Sequence, residues 1–185
     1  MHFRPLFYLL ILYALSFINH SSALCLFKKS NLLVKLEEIT LKTKGTGTIK
    51  ILSDSRFLYT SQCNIFINNE HQNELSIEYP FNSNDNDDIN TVRITWESKM
   101  DTTIGMFTGC NKIIEIDLSK FDTSDVGIMT GMFSSCSSLT SINLSNIKTS
   151  KVTSMASMFA GCSQLISLDL SDFDTSKIND MSKHV

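Results

Sequence analysis

One phrase occurs three times in this chain at a fixed interval, and few folds can accommodate it. Met106-Phe107-x-x-Cys110, Met132-Phe133-x-x-Cys136 and Met158-Phe159-x-x-Cys162 are spaced by 132 − 106 = 26 and 158 − 132 = 26 residues. The text between these marks returns as well. Ile113-x-x-Ile116-Asp117-Leu118-Ser119-x-Phe121-Asp122-Thr123-Ser124-x-Val126 is followed by Leu139-x-x-Ile142-Asn143-Leu144-Ser145-x-Ile147-Lys148-Thr149-Ser150-x-Val152. Leu165-x-x-Leu168-Asp169-Leu170-Ser171-x-Phe173-Asp174-Thr175-Ser176-x-Ile178 closes the series. A fixed period in this range marks units that bury their apolar faces only against one another. One copy has too few apolar side chains to offset the entropy of ordering its chain, so the copies are expected to fold as a group. Their bounds are taken as 106–131, 132–157 and 158–183.

Within a copy, Ile113, Ile116 and Leu118 match the L-x-x-L-x-L core of a leucine-rich repeat. Ile116 and Leu118 alternate with polar residues, which predicts a short strand with the apolar pair inward. The outward set is then Glu115, Asp117 and Ser119, with Ser141, Asn143 and Ser145 and then Ser167, Asp169 and Ser171 as its copies. These nine form a candidate binding face, for which plain solubility is the competing reading. Phe121, Ile147 and Phe173 read as inward plugs, and the Thr-Ser pairs after them as hydroxyls bonding nearby backbone in a bend. The other side of the copy, Val126-x-x-Met129-x-x-Met132-Phe133-x-x-Cys136, has a spacing of threes and fours that predicts one or two helical turns. Met106, Phe107, Cys110, Met132, Phe133, Cys136, Met158, Phe159 and Cys162 form the expected core ladder. The expected fold class is therefore an α/β leucine-rich-repeat solenoid, one short strand plus a helical or irregular side per rung, preceded by a small β-rich N-terminal cap.

The text Met-Phe-x-x-Cys-x-x-Leu-x-x-Leu-Asp-Leu-Ser-x-Phe-Asp-Thr-Ser-x-Val-x-x-Met closely resembles the BspA-type leucine-rich repeat, a surface-protein repeat of bacteria and protists. The likeness covers residues 106 to about 181. It extends loosely to Ile39-Thr40-Leu41-Lys42-x-x-Gly45-Thr46-Gly47 and Val92-Arg93-Ile94-Thr95-Trp96. It implies a secreted or cell-surface protein with adhesive or other protein-binding roles and no enzymatic activity, and it names no ligand. Two departures stand out. Thr103 replaces the methionine found at 129 and 155, and His184-Val185 stands where a fourth Met-Phe is due. An uncovered third rung would give an unstable edge, self-association, or a gene fragment without independent function.

Upstream, residues 1–23 read as a secretory signal peptide, with Arg4, an apolar run over 6–18, and small residues before a cleavage between Ala23 and Leu24. The run is shorter than a typical membrane span, so no span is expected after cleavage. An uncleaved anchor is the alternative, and a lipoprotein through Cys25 a weaker one. Residues 24–105 lack the period and alternate instead, predicting strands near Glu38, over 49–52, 64–68, 75–79 and 92–96, with turn text at Asn68-Asn69. Asp85-Asn86-Asp87-Asp88 fails as an EF-hand loop at Ile89 and Asn90, and reads as a solvated loop.

Chemistry is sparse. The 16 Lys and Arg are scattered and outnumbered by 19 Asp and Glu, which excludes a nucleic-acid stripe. Three equivalent cysteines cannot all pair with one another; they read as buried thiols, with a disulfide or a metal site as alternatives. Cys25 and Cys63, outside the ladder, could pair in an oxidising compartment. Met129, Met132, Met155, Met158 and Met181 read as core fillers rather than soft-metal ligands. His2 and His20 leave with the signal peptide, while His71 and His184 sit in a turn and at the C-terminal end. No G-x-S-x-G, P-loop or H-E-x-x-H occurs. Neither an enzyme nor a cofactor is expected. Asn143-Leu144-Ser145 is a glycosylation sequon, though a strand is a poor acceptor. The sequence thus points to a secreted or surface module binding extracellular proteins, with a redox or metal-handling protein as the alternative from another class.

Overall fold

A computed structural model describes residues 24–25, 34–59, 63–82 and 88–182. The signal segment with Ala23, most of the 85–88 run, and His184 lie outside the described residues, and so does the side chain of Cys25. The chain divides into two compact units, residues 1–35 and 36–185. In the first, β1 (Leu24–Cys25) pairs antiparallel with β2 (Val34–Lys35).

The second unit is built on a six-stranded sheet. Its order is β10 (Ser141–Asn143), β9 (Ile113–Lys120), β3 (Glu37–Lys44), β8 (Ile89–Trp96), β5 (Cys63–Ile67) and β6 (Glu70–His71). A separate pair joins β4 (Gly47–Lys50) to β7 (Glu78–Phe81), and the short helix α1 spans Arg56–Tyr59. Period-2 alternation sends Ile39, Leu41, Ile65, Val92, Ile94, Ile116 and Leu118 to one buried face. Asn68 and Asn69, with φ of 49° and 70°, form the two-residue turn that joins β5 to β6. The strand expected over 75–79 lies later, at 78–81.

The expected α/β leucine-rich-repeat solenoid is corrected here: the protein is a mostly-strand, mixed sheet. Among the described residues the only helix is α1, which lies outside the repeats. The reason is legible in the backbone. The start of each repeat is flanked by two residues in the left-handed region, Gly105 and Gly109, Gly131 and Ser135, Ser157 and Gly161, with φ between 57° and 78°. No right-handed helix propagates through such residues. The chain instead makes tight turns, with Met106 N donating to Thr103 O at 3.1 Å and Cys110 N to Phe107 O at 3.0 Å. Turns of this kind bring residues three and four apart to one side, which is the spacing that reads as helical in the sequence.

The period of 26 nevertheless sets the packing. Phe107 N donates to Met132 O at 2.8 Å and Phe133 N to Met158 O at 2.9 Å. Gly109 N and Ser135 N repeat the contact to Ser134 O and Ala160 O at 2.8 and 2.7 Å. Phe133 stacks between Phe107 and Phe159, with ring centres 5.8 and 5.3 Å apart. Parallel bridges join Thr102, Ile128, Ser154 and Asp180 in series. On the strand side β9 and β10 pair in parallel, Ile116 beside Ile142. The third copy, residues 167–169, forms no strand.

Residues 36–105 seal the first repeat. β3 pairs with β9, and Ser53 N donates to Met106 O at 2.9 Å, the bond that Phe107 makes to Met132 one level on. Ser53 Oγ also donates to Gly105 O, and Arg56 Nη2 to Ile104 O at 2.7 Å. The repeated threonines bond between repeats rather than within their own bend. Thr123 Oγ1 accepts Lys148 N at 2.7 Å and donates to Lys148 O at 3.0 Å, and Thr149 treats Asp174 alike. Below them Glu37 stands in, its Oε2 accepting Asp122 N at 2.5 Å.

Candidate interaction face

Residues paired directly across a ladder point to the same side of a sheet. One row therefore crosses all six strands: His71, Phe66, Arg93, Thr40, Asp117 and Asn143. Glu115 and Ser141 lie one step along it, with Lys42 and Thr91. The side opposite this face is the apolar core, so the row is held on a rigid support.

The outward residues of the repeats are thus one end of a larger face. Asp117, Ser141, Asn143, Ser145, Ser167, Asp169 and Ser171 are exposed, and Glu115 and Ser119 are half-buried. Three of them have a local duty. Oδ1 of Asp117, Asn143 and Asp169 accepts the amide two residues on, from Ser119, Ser145 and Ser171, at 2.9, 3.1 and 3.0 Å. Hydrogen bonding from the Ser171 hydroxyl, and then from its amide, holds the Asp169 carboxyl below the usual range. Glu115 is tied to Lys42 at 2.7 Å.

The aromatic anchor lies on the part of the face that the repeats do not supply. The Arg93 guanidinium sits 3.8 Å from the centre of the half-buried Phe66 ring, and His71 meets that ring edge-on at 5.2 Å. Arg93 also reaches Glu38 at 3.7 Å, which Lys120 holds from the other side at 2.8 Å. Ile89 is 42% exposed, and β8 places it on the same face as Arg93. The alternation in Asn64-Ile65-Phe66-Ile67 and in Val92-Arg93-Ile94 was readable as outward Phe66 and outward Arg93. That the two are neighbours needed the strand register.

The core ladder lies behind this face. Met106, Phe107, Cys110, Met132, Phe133, Cys136, Met158 and Phe159 are buried and Cys162 half-buried. The cysteines are free thiols. Cys136 donates its S–H to Phe107 O and Cys162 to Phe133 O, each at 3.1 Å. Burial pushes the Cys110 thiol up to about 12 and raises Cys136 and Cys162 as well. Thiols so placed carry little thiolate, the form that reacts or binds metal. Cys63 is likewise free and buried, pushed to about 12. Among the described residues no group of three or more His, Cys, Asp or Glu is placed to hold a metal ion. Among them, too, no helix is long and apolar enough to cross a membrane.

Fold and face together define a mostly-β protein in which repeats stacked in register prolong the sheet of an N-terminal β region. Residues 75–185 match the family described as Mycoplasma protein of unknown function, DUF285, and the chain belongs to that family. Membership agrees with the BspA-like surface-protein resemblance at family level, without confirming a leucine-rich repeat. No curated protein and no solved structure matches the chain.

Proposed function

We propose that this protein is a non-catalytic binding module of the cell exterior, secreted or held at the surface, which adheres to host, matrix or neighbouring-cell proteins through the outer face of its six-stranded sheet. The observation that carries this reading is the row from His71 to Asn143, exposed at His71, Asp117 and Asn143 and half-buried at Phe66, Arg93 and Thr40, with Arg93 on Phe66 at 3.8 Å as its anchor. Aromatic and arginine side chains are the residue types that concentrate binding energy at interfaces. Family membership and the signal-like text of residues 1–23 support the location. The reading is tested by placing a photo-crosslinking residue at Thr40, in the middle of the row, and another at Ser55 as a control. Exposure of secreted full-length protein to cell-surface extracts should give a discrete adduct from position 40 that Phe66→Ala abolishes. Equal labelling from both positions, or an adduct indifferent to Phe66→Ala, would remove the face from the account.

A further inference from the structure

On the strand side, the second and third repeats part. They touch where Ile166 N reaches Thr140 O at 3.4 Å and again where Asp174 N meets Thr149 Oγ1 at 2.7 Å. Between these points the third copy bows away from β10 and leaves a cleft of about 220 Å³. Ile142, Leu144 and Phe173 supply its apolar lining, and Asn143, Asp169 and Asp172 its polar groups.

Several carboxylates lower in the stack are paired with lysines. Glu115 is paired with Lys42, Asp122 with Lys99 at 2.6 Å, and Asp125 with Lys151 at 2.7 Å. Asp169 and Asp172 face no cation among the described residues. Asp169 uses one oxygen on Ser171 N, and the exposed Asp172 carboxylate has no hydrogen bond among the described residues.

We infer that this cleft receives the side chain of a lysine or arginine from a protein partner. The aliphatic stem lies on Leu144 and Phe173, and the cationic head meets the carboxylates of Asp169 and Asp172. A long basic side chain combines an apolar stem with a charged tip, which is the pairing of surfaces the cleft offers. Phe173 adds a ring face that favours a cation. The inference rests on the protein-binding reading and extends it by naming the chemistry of one contact.

The test is an NMR titration of the isotope-labelled full chain with Nα-acetyl-lysine methylamide and Nα-acetyl-arginine methylamide. The neutral norleucine and citrulline analogues serve as controls. Saturable shifts are expected at the amides of Asn143, Leu144, Ser171 and Phe173 with the two cations, at least fivefold weaker with the neutral analogues. Asp172→Asn, which disturbs no bond, should weaken the cation response at least fivefold. Asp169→Asn keeps the acceptor for Ser171 N and should do the same. Equal response to norleucine, no saturable shift, indifference to both Asn variants, or a response to calcium chloride alone would overturn the assignment. Crosslinking at Thr40 separates the two levels: a partner captured equally well by the Asp172→Asn protein leaves the module reading standing and removes the cleft.

Discussion

Leu139, Ile142, Leu144 and Ile147 of the second repeat and Leu165, Leu168, Leu170 and Phe173 of the third hold equivalent places in nearly the same text. Leu139 and Ile147 are buried, while all four of the third repeat are only partly so. Residues 141–143 form a strand and residues 167–169 do not. On the opposite side the repeats differ little, since Met158 and Phe159 are as buried as Met132 and Phe133. The chain returns there once more, with Asp180 O accepting Met155 N and Ser182 O accepting Ser157 N at 3.0 and 2.8 Å. Where a neighbour lies above, the text folds tightly; where none lies above among the described residues, the same text loosens. A repeat of this length has its structure completed by the level next to it.

Three equivalent leucines should show the difference between the repeats most strongly. Leu118 is fully buried, Leu144 and Leu170 partly. Leu118→Ala should cost about 3–5 kcal/mol, Leu144→Ala less, and Leu170→Ala below about 2 kcal/mol. Urea midpoints in the order 118, 144, 170 are expected; equal losses would mean that the third repeat is as well packed as the first.

The repeated threonines should differ in the same direction. Thr149→Val removes both bonds to Asp174 and should cost about 1–3 kcal/mol. Thr175, equivalent but exposed, should change stability by less than about 0.5 kcal/mol as valine.

Backbone conformation gives a smaller effect of known sign. Gly109 has φ of 71° with open space where a Cβ would sit, so Gly109→Ala should cost about 1–2 kcal/mol from conformation alone. Ser135, at φ 60° in the equivalent place, already bears that cost, and Ser135→Gly should raise the melting temperature.

The smallest expected effect is a pH dependence at the Asp122–Lys99 pair of the first repeat. Hydrogen bonding to Lys99 holds the Asp122 carboxyl down to about 2. Its unfolded value is about 3.9, so its contribution is present above that pH and is lost as pH falls toward 2. Acid titration of stability should therefore be shallower for Asp122→Asn between about pH 4 and 2.

Much of this was legible from residues alone. The period, the inward set from Ile116 to Phe121, and the alternation upstream follow from side-chain chemistry at fixed spacing. The side expected to be helical was misread because its threes and fours belong to turns. The signal for those turns was present in Gly105 and Gly109, glycines four apart, and singly in Gly131 and Gly161. Ser135 and Ser157 concealed it by occupying the same left-handed positions without being glycine. The row joining Phe66 to Asn143 was not legible, because it depends on β3 lying between β8 and β9, a pairing of segments some 70 residues apart. The double duty of Thr123 was hidden for the same reason, since its partner lies 25 residues away.

Native-state hydrogen exchange on the full chain tests most directly whether the adjacent level, rather than the repeat's own text, sets its structure. Slow exchange is expected at Phe133 and Ser135, whose amides donate to the third repeat, and fast exchange over residues 167–170. Protection at 167–170 equal to that at Phe133 would contradict this, because the third copy of the text would then be forming its strand without a partner above it among the described residues.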